Sequence, residues 1–227
     1  MLMAFQAGMI NIGGFMACHR FVSHVTGFAA FLGMDVSEFR YSEAAGMMIV
    51  PVFFLLGSMI SGVFVDLRLK QNKNPRYYLP FGLMTVLMST VLIGGKAGYF
   101  GVFGEPFAQT RDFILLALLC LICGIQNGTI TSVSKSVVRT THLTGITTDL
   151  GIGIIRYLFR KNIPAEYSQE GQANLTRMGL IFFFFLGSVF GGFVFRDHGY
   201  SGFLTPTLTT GILFFVMIYY QVFKTAK

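Results

Sequence analysis

Apolar residues fall along this chain in long unbroken runs; they neither alternate nor recur on one face only. Runs free of charged residues cover Met1–Cys18, Ala44–Val65, Tyr77–Gly95, Phe113–Ser134, Met178–Phe195 and Gly199–Phe223. Each is roughly long enough to cross a hydrocarbon core of about 30 Å as a helix. The pattern predicts an all-α integral membrane protein, one transmembrane domain over residues 1–227 with six transmembrane helices. The strict alternation of a membrane barrel is absent. The first run lacks both the basic lead and the polar mature domain of a signal peptide, so it reads as an uncleaved helix. It starts abruptly, and further residues are expected ahead of Met1.

Composition agrees with that pattern: hydrophobic residues make up 53% of the chain and charged ones 12%. The charged share is about half that of a soluble domain. Charge then orients the helices. Twelve of the 17 Lys and Arg residues (Arg68, Lys70, Lys73, Arg76, Lys135, Arg139, Arg156, Arg160, Lys161, Arg177, Lys224 and Lys227) fall on one side of a six-helix count, leaving five on the other. The positive-inside rule places that side, with both termini, in the cytoplasm. The net charge of +7 is therefore a topological signal, and no nucleic-acid partner is implied. Tyr77–Tyr78 and Tyr219–Tyr220 are the expected interfacial anchors, since the chain has no Trp. Three cysteines make no disulfide framework, and Cys120 and Cys123 inside an apolar run read as small packing residues.

The chain is written twice. "GMIN" (Gly8–Asn11) returns as "GIQN" (Gly124–Asn127), and "SHVTG" (Ser23–Gly27) as "THLTG" (Thr141–Gly145). Gly33 returns as Gly151, and "FLLGSMISGVFVD" (Phe54–Asp66) as "FFLGSVFGGFVFR" (Phe184–Arg196). Several matches in one order mark an internal repeat, with repeat one over residues 1–100 and repeat two over 113–223. Three spans per repeat, an odd number, turn the second copy over. The expectation is two inverted three-helix repeats, an architecture of secondary transporters. Gly57 with Ser61, Ser58 with Gly62, Gly187 with Gly191 and Ser188 with Gly192 are spaced for close helix packing in lipid.

The phrases "SHVTG…LG" and "GIQNG…VRTTHLTGITTDLG", each after a Gly-rich helix, resemble the YoaK-like family of bacterial multi-pass membrane proteins over nearly the whole chain. The resemblance implies a small helical protein of the bacterial cytoplasmic (inner) membrane and supplies no reaction. Many members carry Asn after "TG", where this chain has Phe28, and often an acidic residue near Asn11; both differences bear on what is bound.

The repeated polar phrases are the candidate site. Thr26 and Thr144 each precede a glycine, Gly27 or Gly145, and a short apolar stretch, so each is expected to N-cap a short helix. Two such starts, re-entrant or interfacial, would aim unpaired N–H groups and positive dipole ends at a polar ligand. Irregular backbone at membrane depth has to be buried or line a wet cavity. His24 and His142 hold equivalent places; each hydrogen-bonds its own turn, takes part in gating or proton coupling, or with His19 or Asp149 binds metal, although the spacing is no metal motif. Asp149 has Phe31 as its repeat-one counterpart and reads either as an ion pair with Arg156 or Arg139 or as a coupling group. Arg20 and Arg139 flank the turns and snorkel to the interface. Asn11, Gln126 and Asn127 bond between helices or face substrate.

No nucleophile elbow, phosphate loop, dinucleotide fingerprint or zinc-protease motif occurs, so no enzyme, cofactor or metal is expected. Residues 160–177 read as a solvated loop. The expected function is a secondary transporter or permease for a small anionic or zwitterionic solute in the lipid bilayer. In it His24, Thr26, Gly27, His142, Thr144, Gly145, Asn11 and Asn127 bind, while Asp149 and Arg139 couple or gate. A homodimer is one way for so short a chain to complete a pathway. The alternative is a non-transporting scaffold or sensor, in which the polar phrases only stitch helices together.

Overall fold

A computed structural model describes residues 1–133, 143–162 and 170–224, and all its regular elements are helical. In chain order they are α1 (Leu2–Cys18), α2 (Val25–Ser37), α3 (Tyr41–Met47), α4 (Ile49–Ser61), α5 (Leu67–Lys70), α6 (Tyr78–Lys96), α7 (Thr110–Val133), α8 (Leu143–Leu158), α9 (Glu170–His198) and α10 (Leu204–Ile218). A π-helical turn, Gly62–Asp66, joins α4 to α5. Another, Tyr219–Lys224, follows α10.

Among the described residues four helical stretches are long and apolar enough to cross a membrane: Tyr41–Lys70, Tyr78–Lys96, Thr110–Ser132 and Glu170–Phe223. They mark a multi-pass membrane protein. At 17 residues α1 is shorter, about 25 Å of helix. The last stretch joins the fifth and sixth apolar runs and is broken where Gly199 takes a φ of 52°, the left-handed geometry that ends helices. The second run is also broken, between Met47 and Ile49. Pro51 supplies the reason: it has no N–H for the Met47 carbonyl, and its ring crowds that carbonyl. Residues 160–177 are not one solvated loop, because α9 begins at Glu170, two turns ahead of its apolar run.

Helix α7 is the central strut, with 67% of its apolar window buried against 28–33% for the other three stretches. Leu115, Leu116, Leu119, Ile122 and Ile125 on α7 pack with Met9, Ile10, Met84, Met88 and Phe203. Cys18, Cys120 and Cys123 are free and buried among them.

Two helix crossings are tight enough to require glycine. Where α1 meets α9, a Cβ on Gly8 would overlap the Phe184 carbonyl and one on Gly187 the Phe5 carbonyl. Where α7 meets α4, Gly124 faces the Phe54 carbonyl and Gly57 the Leu121 carbonyl in the same way. Backbone cannot rotate aside, so only glycine permits this approach. Serine seals both crossings: Ser188 Oγ donates to the Gly8 carbonyl at 3.4 Å and Ser58 Oγ to the Gly124 carbonyl at 3.2 Å. Deeper in the bundle, Gln6 Nε2 donates to Gln126 Oε1 at 3.1 Å, and Gln126 Nε2 to the Met3 carbonyl at 2.8 Å.

Candidate functional site

After α1 the chain turns back along the helix it has just left. Ser23 Oγ donates to Asn11 Oδ1 at 3.0 Å, although Asn11 lies seven residues before the end of α1. That places the turn about 10 Å below the helix end. Its entry is fixed by His19, whose φ of 51° closes α1 with an N–H bond to the Phe15 carbonyl. Phe21 then stacks on Phe15 at 4.6 Å.

At the bottom of this turn lies a cavity of about 340 Å³. Asn11, Ser23, His24 and Thr26 line it from the first repeated phrase, Leu143 and Thr144 from the second, and Phe184 from the middle of α9. Two stretches 118 residues apart in sequence, His24–Thr26 and His142–Thr144, thus contribute described residues to one cavity. Ser23, Phe21 and Phe184 are lining residues that pattern alone did not single out. The Ser23–Asn11 bond depends on a fold-back that no periodicity encodes.

The helix starts differ from expectation by two residues. Neither Thr26 nor Thr144 is an N-cap; Thr26 is the second residue of α2, and Thr144 follows Leu143 inside α8. In α2 the His24 carbonyl accepts the Gly27 and Phe28 N–H groups at 3.1 and 3.4 Å, so His24 takes the cap position, without a side-chain cap bond. The Val25 and Thr26 N–H groups precede the first intrahelical donor and point out of the helix start. Leu143 and Thr144 are the first two described residues of α8. The His24 imidazole folds over Gly27, where a Cβ would come within 2.6 Å of Nδ1, and meets Phe21 edge-on at 6.1 Å. Gly145 faces open space.

The remaining expected residues lie elsewhere. His142 and Arg139 fall outside the described residues. Asp149 is exposed on α8, and among the described residues it has no ion-pair partner. The expected Asp149–Arg156 pair does not form, because seven residues of helix separate them by about 10 Å. Arg156 instead donates to Glu170 Oε1 at 3.1 Å. Glu170 Oε2 and Asn174 Oδ1 both accept from Arg177 Nη1, at 3.0 and 2.7 Å. Gly153 of α8 packs on this cluster, which ties α8 to the start of α9. Asn127 stands apart from Asn11. It lines a separate cavity of about 340 Å³ between α4 and α7, with Ser58, Asp66 and Ser132. Its Oδ1 is buried with no hydrogen-bond partner among the described residues, and Asp66 is held by Lys70 at 2.9 Å. No group of three His, Cys, Asp or Glu side chains converges as a metal site among the described residues.

Chemically, the first cavity combines helix-start N–H groups, threonine hydroxyls, an imidazole and a carboxamide above an aromatic floor. Such a set orients a small polar solute by hydrogen bonds and suits a partial or full negative charge at the helix starts.

Comparison with curated proteins finds no significant match, and neither does comparison with solved structures. A family model described as "Protein of unknown function (DUF1275)" matches residues 1–218. With nearly the whole length covered, the chain belongs to the DUF1275 family.

Proposed function

We propose that the protein is a secondary transporter or permease of the bacterial inner membrane, moving a small anionic or zwitterionic solute through the cavity between the two repeated turns. Six crossings are assigned to α1, the α3–α5 stretch, α6, α7, α9 and α10, with both termini cytoplasmic. They form two inverted three-helix repeats. Support for the inversion comes from the glycine crossings: Gly8 on Phe184 and Gly124 on Phe54 are the same contact made by exchanged repeat partners. In this arrangement α2 and α8 are re-entrant, entering from opposite faces. His24, Thr26, Gly27, Thr144 and Asn11 are assigned to the binding cavity; roles for His142 and Gly145 in binding, and for Asp149 and Arg139 in gating, rest on the sequence alone. Asn127 serves the neighbouring α4–α7 cavity. No catalytic step is assigned, and the surface of α8 is open to a second copy.

The observation that carries the proposal is that the start of α2 and the first described residues of α8 line one cavity beside the middle of α1 and α9, rather than at a helix end. A polar turn at that depth has to be buried in protein or line a wet cavity, and His24 and Thr26 are exposed and line one. The test is labelling of Thr26→Cys and Thr144→Cys with a membrane-impermeant thiol reagent, in membranes accessible from both sides. Both sites should react, while Leu119→Cys, buried in α7, should not. Protection of both threonine positions would refute the transport reading and leave a scaffold or sensor.

A further inference from the structure

A cavity of about 750 Å³ lies away from the repeated turns, at the helix ends opposite the basic loops. Arg20, Phe31, Asp35, Arg40, Glu43, Met47 and Phe107 form its working surface. Arg20 is held as a platform. Its guanidinium carbon sits 5.1 Å from the Phe31 ring centroid and 5.3 Å from that of Phe107, and Nη1 donates to the His19 carbonyl at 3.0 Å. Among the described residues no carboxylate pairs with it, and its Nε is buried without a partner. A cation fixed between two aromatic faces and left without a counter-ion presents its remaining donors to an anion.

The opposite wall carries the complementary excess. Arg40 alone serves three carboxylates: Asp35 at 2.6 Å, Glu38 at 2.5 Å and Glu43 at 2.8 Å. Its own pKa is raised, chiefly by the hydrogen bond to Asp35, and three carboxylates face this one guanidinium. Asp35 is buried against Arg40, while Glu38 and Glu43 are exposed and carry the formal excess at the mouth of the cavity.

We propose that this cavity binds a free α-amino acid with an apolar side chain. The carboxylate would lie on Arg20, the ammonium group against the Asp35–Glu43 wall, and the side chain on Phe31, Phe107 and Met47. An inorganic anion would satisfy only Arg20, and a simple amine only the acidic wall; a zwitterion satisfies both. The site stands independently of the transport reading, because it concerns equilibrium binding at a different cavity.

The experiment uses the purified full chain in detergent with L-leucine as probe, followed by thermal shift and isothermal titration. N-acetyl-leucine removes the ammonium group and leucinamide the carboxylate. Saturable binding of L-leucine is expected, and each derivative should bind at least about tenfold more weakly, as for loss of one charge-assisted contact. Arg20→Gln should abolish binding. Glu43→Gln, at an exposed carboxylate that the fold does not need, should weaken it several-fold. Absence of saturable L-leucine binding would overturn the proposal. So would equal binding of either derivative, or wild-type affinity in folded Glu43→Gln protein. The cysteine labelling at Thr26 and Thr144 is blind to all of these outcomes, so the two readings fail separately.

Discussion

Replacing Gly187 by alanine drives a methyl group onto the Phe5 carbonyl, and Gly57→Ala does the same at the Leu121 carbonyl, with the Ile125 nitrogen at 2.8 Å. The obstacles are backbone atoms within helices, so no rotamer change relieves the overlap and the paired helices must move apart. Overpacking of this kind costs about 1–3 kcal/mol. Alanine's better helix propensity returns at most about 1 kcal/mol, leaving a net loss of about 1–2 kcal/mol. For a chain of this size that corresponds to a midpoint lowered by about 2–8 °C. Gly192→Ala is the internal control, because nothing lies within 4 Å of its added Cβ; its midpoint should hold or rise. Melting is read with a thiol-reactive fluorophore, since Cys18, Cys120 and Cys123 are all buried until the bundle opens. Wild-type melting in both Gly57→Ala and Gly187→Ala, or an equal loss in Gly192→Ala, would refute the view that backbone contact holds these crossings.

Three further outcomes are expected. Gln126→Leu leaves the buried Gln6 amide without its partner and removes the side-chain bond to the Met3 carbonyl, and should cost about 1–3 kcal/mol; Gln6→Leu should cost less, since it also removes a buried Oε1 without a partner, and a double-mutant cycle by the same melting assay checks the order. Glu170→Gln weakens the contact of Arg156 and Arg177 with the α8–α9 junction and should raise hydrogen exchange across Leu143–Leu158 while leaving α7 protected. Ser23→Ala removes the bond to Asn11 and should destabilise the turn by about 1 kcal/mol, read as faster thiol labelling of Thr26→Cys in the Ser23→Ala background.

Much of the fold was legible because lipid imposes a single requirement, an apolar helix of sufficient length. The runs beginning at Tyr77 and Phe113 became α6 and α7 with little change at either end. The errors arose where one residue overrides hydropathy. Pro51 divides a uniformly apolar run because the missing N–H and the ring act on Met47, four residues back, and hydropathy has no memory of that carbonyl. The start of α9 was hidden for the opposite reason: Glu170, Asn174 and Arg177 are polar, yet they lie one helical turn apart and bond one another and Arg156. A charge pattern at spacing three and four was the available signal, and it was masked by Gly171 and the mixed charges around it.

Four residues named from the sequence, Asn11, His24, Thr26 and Thr144, line one cavity, but the turn that brings them there was not legible. Repetition of short phrases singled them out without any knowledge of contact. Threonine's capping preference, in contrast, mislocated both helix starts, since tertiary contact decides which carbonyl the first N–H finds. In α2 the carbonyl of His24 wins because Ser23 is already anchored to Asn11, which fixes the chain one residue ahead of His24 and lets the helix begin at once. The same anchoring explains why Asn127 departs from its counterpart. Asn11 spends its Oδ1 on Ser23, whereas Asn127 Oδ1 is left buried beside Ser58, Asp66 and Ser132. Among the described residues, similar phrases thus line two different polar cavities, and the two differ in whether the carboxamide oxygen has a partner.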